Sequence, residues 1–405
     1  MNANERKFYE LTVAERVERV RAEAGLDGHD TAALLDPAPL SHAEADRLIE
    51  NVVGLLSLPL GIARNFTING EEVQVPLAIE EASVVAAASH GAKLLRAGGG
   101  IEAVASDPVM VGQVQVLEVD DFEAAARELA ACRDEILRTA NAGHERLQAA
   151  GGGARGFAVR LLDPTPAGPM LLLELEVDVR DAMGANAVNG MCEAIAPLVA
   201  ERTGGRVGLR ILTNLCDRRV VWARGRVPAE ALGGADAVRA IFEASAFAEA
   251  DPHRATTHNK GIMNGIDALL LATGQDFRAA EAGAHAYAAR DGRYTALATW
   301  RPDERGDLLG RIELPLALGT VGGGTEIHRT ARVCRKIVGA QGPGSARRLA
   351  GIAAALGLAQ NLAAIRALAQ EGIQRGHMKL HRRAREHGEH EALAVTEKAD
   401  KGAGP

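Results

Sequence analysis

The sequence is poor in cysteine, with four cysteines in a chain of 405 residues. They are widely separated and form no CxxC pair, so neither a disulfide framework nor a zinc knuckle is predicted. We expect reduced, mostly buried thiols at Cys132, Cys192, Cys216 and Cys334. Three histidines near the C-terminus follow no metal-ligand pattern, so no metal site is predicted at His381, His387 or His390.

The sequence also lacks long apolar runs and an excess of positive charge. No uninterrupted apolar run approaches the roughly 18 residues that suggest a membrane span, and the start MNANERKFYE has no signal-peptide core. Lys and Arg number 46 against 53 Asp and Glu, a formal net charge of -7 at pH 7. Since a general polyanion binder is usually basic, we expect no binding to nucleic acid. Because long apolar runs and a signal-peptide core are lacking, we expect a cytoplasmic protein that does not bind a membrane.

Two glycine-rich segments lack the pattern of a known phosphate loop. GTVGGGTEIH at 319–328 has neither the GK(S/T) ending of a Walker loop nor the strand-GxGxxG-helix context of a Rossmann turn, and GPGSAR at 342–347 fails in the same way. Both are more typical of turns where backbone closely approaches backbone or a ligand.

What the sequence does have is enough apolar content, 47%, to fill two or three packed units. Strand-like and helix-like periods alternate between residues 107 and 217. Strands are predicted at 109–119, 157–162, 173–179 and 207–213. Helices are predicted at 122–147 and 188–198. The order β-α-β-β-α-β is that of a ferredoxin-like module.

The flanking segments 1–106 and 218–370 are predicted to form one larger, α-rich domain into which the small module is inserted. Ser83 to Ala97 and Ser345 to Gln370 are its clearest predicted helices. Residues 371–405 are strongly charged and lose apolar periodicity, which predicts a mobile tail or flap. The predicted fold class is therefore α+β.

Two stretches place ionisable residues where core packing does not explain them. In VPLAIEEAS, Glu80 and Glu81 precede an apolar helix, which suits a proton-donating carboxyl, although acidic residues favour helix starts for structural reasons too. The second stretch is DPHRATTHNKGIMNGIDALLLATGQDF at 251–277. A short apolar strand is predicted there among polar residues, and a lysine among them could stabilise an oxyanion. A polar loop with a surface ion pair is the alternative. Its polar residues are Arg254, His258, Asn259, Lys260, Asn264, Asp267 and Asp276.

Two further stretches adjoin predicted helix ends. VRDAMGANAVNG precedes a helix, so its backbone N–H groups could hold the pyrophosphate of a dinucleotide; an αL turn with an Asn cap is the alternative. In GIQRGHMKLH, His377 follows a long helix and could protonate a departing thiolate, although such histidines are more often simply solvated.

Seven segments, in order and spacing, resemble the class II, bacterial and degradative, 3-hydroxy-3-methylglutaryl-CoA (HMG-CoA) reductases. They are ENVVG at 50–54, VPLAIEEAS, DVRDAMGAN, RATTHNKGIMNGID, TGQDF, the VGGGT loop and GIQRGHM. The resemblance implies an oxidoreductase of isoprenoid metabolism that interconverts HMG-CoA and mevalonate plus coenzyme A. It implies two successive hydride transfers with NAD(H), in the direction of mevalonate degradation.

The resemblance also assigns roles to single residues. Glu81 is implied to protonate the carbonyl oxygen, Lys260 to steady the oxyanion, Asp276 to link the two, and His377 on the closing flap to protonate the CoA thiolate. By the same resemblance, residues 1–106 bind HMG-CoA and form the dimer, 107–217 bind NAD(P), 218–370 carry the catalytic Lys and Asp, and 371–405 form the flap.

Binding residues carry over in the same way. The implied substrate contacts are Ser83, Arg254, Asn264 and Asn214. The implied dinucleotide loop, which is not of the Rossmann type, is Asp181, Ala182, Met183, Gly184, Ala185 and Asn186. His144 stands where NADH-preferring relatives have an aspartate at the adenosine ribose, which leaves NADP(H) open beside the favoured NAD(H). Tyr9 stands where a relative has an arginine for CoA phosphate.

The family resemblance implies a homodimer, or an assembly of dimers, with shared active sites and the ENVVG segment reaching across. Three alternatives remain open from the sequence. They are an NADPH-dependent enzyme of biosynthetic direction, a related oxidoreductase with another acyl group, and an inactive CoA- or nucleotide-binding relative.

Overall fold

The computed structural model describes residues 6–322 and 327–370. The predictions for His377, for the flap and for most of the VGGGT loop lie outside these residues. Fourteen α-helices occur within them, α1 to α14: Val13–Ala24, Gly28–Leu35, His42–Ala45, Val84–Ala97, Phe122–Ala131, Arg133–Asn141, Glu145–Ala149, Ala185–Thr203, Ala229–Leu232, Ala235–Ala250, Pro252–Thr273, Phe277–Ala288, Arg329–Ile337 and Ser345–Gln370.

Ten strands occur in the same described part of the chain. These are β1 to β10: Leu60–Ile68, Glu71–Ala78, Ile101–Ala105, Val109–Leu117, Gly153–Leu162, Met170–Asp178, Arg206–Leu212, Val220–Val227, Ala298–Pro302 and Leu308–Pro315. Helices and strands are mixed along the chain, so the predicted α+β class is confirmed.

The small antiparallel sheet has the strand order β5-β6-β4-β7, which is the ferredoxin-like order. In β6 the side chains of Leu173 and Leu175 are fully buried against α6 and α8, whereas Glu174 on the opposite face is half-buried and pairs with Arg160. This alternation follows from the two-residue period of a strand. The helix predicted at 122–147 is instead three short helices, α5 to α7, because Cys132 and Gly143 leave the helical conformation.

The large sheet has six strands in the order β2-β1-β3-β8-β10-β9. The sequence predicted helices in the flanking segments but not these strands. Two of them, β3 and β9, have only five residues, which is too short for a clear alternation. Strand β3 pairs antiparallel with β8, so the chain leaves the large sheet just before the small module and returns to it just after.

Helix α14 is the centre of the large core and packs against α4, α10 and α11. Small residues allow very close contact: a Cβ on Gly91 of α4 would lie 2.0 Å from the backbone oxygen of Ala359. Within the described ranges, α14 is the helix that is long and apolar enough to cross a membrane, but 67% of its most apolar stretch is buried inside the protein. Its burial is that of a core helix.

The stretch from Pro252 to Thr273 is one helix, α11, so the short apolar strand predicted there is wrong. Asp251 caps its start and Gly274, at φ 73°, ends it. Within it, buried Ile262, Met263, Ile266, Leu269 and Leu270 recur at helical spacing. The glycines that suggested a loop sit inside the helix, and Gly265 makes room for Gln360 of α14.

The four cysteines are free thiols, as predicted, and all but the half-buried Cys132 are buried. Burial raises the pKa of the Cys192 and Cys334 thiols to about 12, so they stay protonated at neutral pH.

Candidate active site

An exposed lysine and an exposed glutamate meet on the surface of the large domain. Glu81 lies in the turn between β2 and α4, and Lys260 lies on α11, which packs against β2. The Nζ atom of Lys260 lies 3.3 Å from Oε2 of Glu81. Their side chains remain 62% and 41% exposed, so a ligand can reach both. The structure therefore brings together two of the four predicted catalytic residues.

Three predicted substrate contacts lie on α11, which carries Lys260, or at the start of α4, which follows Glu81. Ser83 begins α4 with φ 82°, and its Oγ is buried without a hydrogen-bond partner among the described residues. The guanidinium of Arg254, earlier on α11, also has no partner there, and burial lowers its pKa. Asn264 lies one turn after Lys260 on the same helix face. Each of these groups, a guanidinium and a hydroxyl without a partner among the described residues, suits an anionic, oxygen-rich ligand.

Asp276 does not join the pair within one chain. Its side chain caps α12, accepting from the Ala279 N–H at 3.1 Å, and it lies 3.1 Å from Arg278. At a rise of about 1.5 Å per residue, Lys260 lies about 20 Å along α11 from its last residue, Thr273. The structure therefore places Asp276 at the opposite end of α11, and its predicted role stays a prediction.

The DAMGAN loop, residues 181–186, leads directly into α8. Gly184 adopts φ 100° at the helix start and offers no side-chain cap, so the first N–H groups of α8 stay available to a ligand. The Asp181 carboxylate accepts hydrogen bonds from the N–H groups of Gly344 and Ala346, both at 2.9 Å. Asp181 thus anchors the loop to the start of α14 with its side chain.

A buried arginine, which the sequence did not single out, holds the same loop from beneath. Arg219 is 5% exposed and donates to the carbonyl oxygens of Ala182 and Met183, both at 3.2 Å, and to that of Leu318. Burial lowers its pKa to about 10, which still leaves it charged at neutral pH. Its carbonyl contacts therefore replace the water lost on burial.

Gly319 lies between the DAMGAN loop and Gln275, the residue before Asp276. The Gly319 N–H donates to Oε1 of Gln275 at 2.8 Å. A Cβ on Gly319 would lie 2.4 Å from the backbone nitrogen of Met183, so only glycine allows this approach. Gly319 confirms the close backbone approach predicted for this segment. Asn214 lies nearby, exposed after β7, with its carbonyl against Gly283 of α12.

A cavity of about 1450 Å³ opens beside the DAMGAN loop, between α2, α7 and α13. Cationic side chains dominate its charged lining: Arg146, Arg180, Arg329, Arg332, Arg335, Lys336 and Arg347. Some of these are neutralised; Lys336, for example, lies 2.7 Å from Asp30. Within residues 6–322 and 327–370, no hydrogen bond or ion pair engages the guanidinium groups of Arg146 and Arg332. The cavity therefore suits a ligand that carries phosphate.

The predicted ribose position, His144, lies beside this cavity rather than in its lining. A Cβ on Gly190 of α8 would lie 3.8 Å from Nε2 of His144. Arg146, two residues further along, does line the cavity. No group of three potential metal ligands occurs in the described part of the chain.

Comparisons with known proteins agree with the motif resemblance. The family model of hydroxymethylglutaryl-coenzyme A reductase matches residues 12–382. The 3-hydroxy-3-methylglutaryl-coenzyme A reductase of Archaeoglobus fulgidus is 50% identical over 377 residues, which cover 93% of this chain and 85% of the relative. The probable reductase of Borreliella burgdorferi is 34% identical over 339 residues, 82% of this chain and 76% of the relative.

Solved structures give the same result. The class II reductase of Streptococcus pneumoniae, bound to NADPH in open conformations, matches with a TM-score of 0.86 and 40% identity, covering 90% of this chain and 99% of that chain. A second structure of the S. pneumoniae enzyme matches with a TM-score of 0.87 and covers 92% of this chain and 89% of that one. The predicted resemblance is confirmed, and the chain belongs to the hydroxymethylglutaryl-coenzyme A reductase family.

Proposed function

We propose that this protein interconverts HMG-CoA with mevalonate and coenzyme A, using a nicotinamide cofactor. The observation that carries the proposal is the 3.3 Å contact between Lys260 Nζ and Glu81 Oε2 on an open surface. An ammonium group beside a carboxyl group can stabilise a developing oxyanion and then protonate it. Family membership supplies the substrate.

The residues around the pair take distinct roles in this proposal. Arg254 binds the HMG carboxylate with its unpaired guanidinium, assisted by the Ser83 hydroxyl. Lys260 stabilises the oxyanion at the thioester carbonyl, and Glu81 donates the proton to that oxygen. When bound, the nicotinamide cofactor supplies the hydride. His377, outside the described residues, is proposed to protonate the CoA thiolate.

The basic cavity and the start of α8 are the proposed dinucleotide site. The free N–H groups after Gly184 suit the pyrophosphate, and the cavity offers space and positive charge beside them. Overall resemblance favours NADH, but the cavity lining supports NADPH. Arg146 offers an unpaired guanidinium for a 2′-phosphate, and position 144 carries no acidic group to repel it.

The two halves of the proposed site lie about 20 Å apart along α11, which supports a dimer with shared sites. Glu81 contacts Lys260 in the first half of the helix, whereas Asp276 follows the end of the helix, where Gly319 joins Gln275 to the DAMGAN loop. The segment between α3 and β1 is apolar and exposed; Val53 and Leu56 are almost completely exposed. Such a surface is typical of a subunit interface. We propose that each site combines Lys260 of one subunit with Asp276 of the other.

The test follows nicotinamide absorbance with HMG-CoA, and in reverse with mevalonate and CoA. We expect turnover by the wild-type protein and a loss of at least about 100-fold for Lys260→Ala, the size of effect seen when an oxyanion donor is removed. Lys93→Ala, which removes an exposed lysine on α4, is the matched control and should keep the wild-type rate. Turnover of acetyl-CoA, malonyl-CoA or succinyl-CoA in place of HMG-CoA would refute the proposed substrate.

A further inference from the structure

A chain of polar side chains links two points of α11 through neighbouring elements. It starts at Asp267 and runs through Glu281 and His285 of α12 to Tyr294, and it returns to α11 at Asn259. The sequence placed Asp267 and Asn259 in one polar stretch but assigned a role to neither. The chain plays no part in the proposed reaction described above.

The contacts from Glu281 to Asn259 are within hydrogen-bond distance. The carboxyl of Asp267 hydrogen-bonds to that of Glu281. Oε2 of Glu281 lies 2.6 Å from Nε2 of His285, whose Nδ1 lies 2.7 Å from the Tyr294 hydroxyl. Asn259 Nδ2 donates to that hydroxyl at 3.0 Å. The chain is therefore continuous from Asp267 to Asn259.

Two carboxyl groups can hydrogen-bond to each other only if they hold a proton between them. His285 donates to Glu281 and lowers the pKa of that carboxylate, so the proton resides on Asp267. Burial and the neighbouring Glu281 raise the pKa of Asp267 to about 8. The other oxygen of Asp267, Oδ1, is buried and has no hydrogen-bond partner among the described residues, which favours a neutral carboxyl.

The positions of these groups on α11 connect them to the proposed site. With 3.6 residues per turn, Lys260, Asn264 and Asp267 lie within about 60° of one another on one helix face. Asn259 directly precedes Lys260, and its Oδ1 accepts from the Leu297 N–H at 2.9 Å. The two ends of the polar chain therefore flank Lys260 and Asn264 and fasten this part of α11 to α12 and to residues 294–297.

We propose that Asp267 is a positioning residue for the reaction, an inference that rests on the proposed function. The proton that Asp267 shares with Glu281 holds the face of α11 that carries Lys260 and Asn264 in place for catalysis. Loss of this proton sets two carboxylates against each other at the α11–α12 contact. Reductase activity then falls as Asp267 ionises, independently of any group that touches the substrate.

Most other charged groups on the elements around α11 have partners of their own. Glu281 is the titratable group that acts on Asp267, and His285 and Asp267 are those that act on Glu281. Helix α14 presents the neutral amides Gln360 and Asn361. On α10, α13, β2 and α4, Glu249 pairs with Arg301, Arg335 with Thr273 O, Glu71 with Arg348, Glu72 with Arg96, and His90 with Arg366. Arg332 of α13 lines the basic cavity.

The first test is the pH profile of HMG-CoA reduction by the full-length protein. Since about nine-tenths of a group with a pKa of about 8 is ionised at pH 9, we expect kcat of the wild type to fall by up to about tenfold between pH 7 and pH 9. Asp267→Asn supplies a neutral donor of the same shape, so kcat of this variant should fall by less than about twofold over the same range. Asp267→Ala should lower kcat at every pH, whereas Asp267→Asn should restore kcat.

Glu313→Gln is the matched control, because Glu313 also contacts α12, through the Tyr287 hydroxyl at 2.6 Å, but lies outside the polar chain. It should keep the wild-type profile. Parallel pH profiles for the wild type and Asp267→Asn would overturn the proposal.

A second test needs no activity and keeps the inference separate from the proposed function. The raised pKa of Asp267 means that the folded chain binds more protons than the unfolded chain between about pH 4 and pH 8. Stability from this group is full at low pH and is lost as pH rises towards 8. The denaturant midpoint of the wild type should therefore fall, relative to that of Asp267→Asn, from pH 5 to pH 8. A constant difference would show that Asp267 does not hold the proton, whether or not HMG-CoA is turned over.

Discussion

Among the described residues, the guanidinium groups of Arg146 and Arg332 have no hydrogen-bond or ion-pair partner, which distinguishes the basic cavity from an ordinary surface cleft. The other arginines described above already have partners: Arg329 lies 3.8 Å from Asp36, and Arg180 binds the backbone of Gly151. A phosphate group gains most from a guanidinium that has no partner to give up. Selectivity between NADPH and NADH should thus depend on these two residues.

We expect Arg146→Leu to raise KM for NADPH by about tenfold, corresponding to about 1.4 kcal/mol, and to leave KM for NADH within about twofold. The reason is that the 2′-phosphate is present on NADPH alone. Initial rates with each cofactor at saturating HMG-CoA give both constants. Arg138→Leu, which removes an exposed arginine on α6 outside the cavity, is the control and should change neither. An equal rise in KM for both cofactors would mean that Arg146 meets a group that they share.

Single residues also mark the limit of sequence-based prediction. Motif resemblance pointed to Glu81, Lys260, Ser83 and Arg254, because each lies inside a short, recognisable segment, and their roles stay predictions. It did not point to Arg219, although this arginine fastens the DAMGAN loop. Arg218 and Arg219 are neighbours of the same type, yet Arg218 is exposed and pairs with Glu176, whereas Arg219 is buried. Burial is a tertiary property, and nothing in the local pattern separates the two.

At the scale of elements, helices were predicted well where their periodicity was long. Helix α14 has the predicted bounds, Ser345 to Gln370, and α4 begins one residue later than predicted. Helix α11 was missed because the polar residues on its site-bearing face and its glycines, Gly261 and the packed Gly265, both resemble a loop. The large sheet was missed because its partners are distant in sequence; β3 pairs with β8, more than a hundred residues later.

The anchor between the DAMGAN loop and α14 gives a prediction at this scale. Asp181→Ala removes a carboxylate that accepts from two N–H groups at the start of α14, and we expect a loss of about 1 kcal/mol in the free energy of unfolding. We also expect a weaker affinity for the dinucleotide, because the loop loses its tether.

Asp121→Ala provides the matched comparison for this prediction. It removes the cap of α5, in which the Asp121 carboxylate accepts from the Ala124 N–H at 2.9 Å, away from the cavity. It should lose similar stability with no change in dinucleotide affinity. Denaturant unfolding and fluorescence titration with NADPH measure the two quantities. If both variants bound the dinucleotide like the wild type, Asp181 would be only a helix cap.

At the scale of the whole molecule, α11 separates the two halves of the proposed site. Gly319 joins the DAMGAN loop to Gln275, between the end of α11 and Asp276, and Glu81 contacts Lys260 about 20 Å away along the axis. A single chain thus presents two half-sites that face different regions. In the proposed dimer, a twofold axis that joins the exposed segment between α3 and β1 to its copy would give two complete sites, each with one half from each subunit.

Mixing two inactive variants tests this arrangement directly. Lys260→Ala and Asp276→Asn should each abolish turnover as homodimers. In a heterodimer with shared sites, one site receives both substitutions and the other receives neither. A mixture of equal parts, unfolded and refolded together, should therefore recover about a quarter of the wild-type activity, since half of the dimers are mixed and each has one intact site. If every site were built from one chain, each site in the mixture would carry one substitution, and no activity would return. Mixing Lys260→Ala with Glu81→Gln is the internal control, because both substitutions lie in the same half-site and the heterodimer should stay inactive.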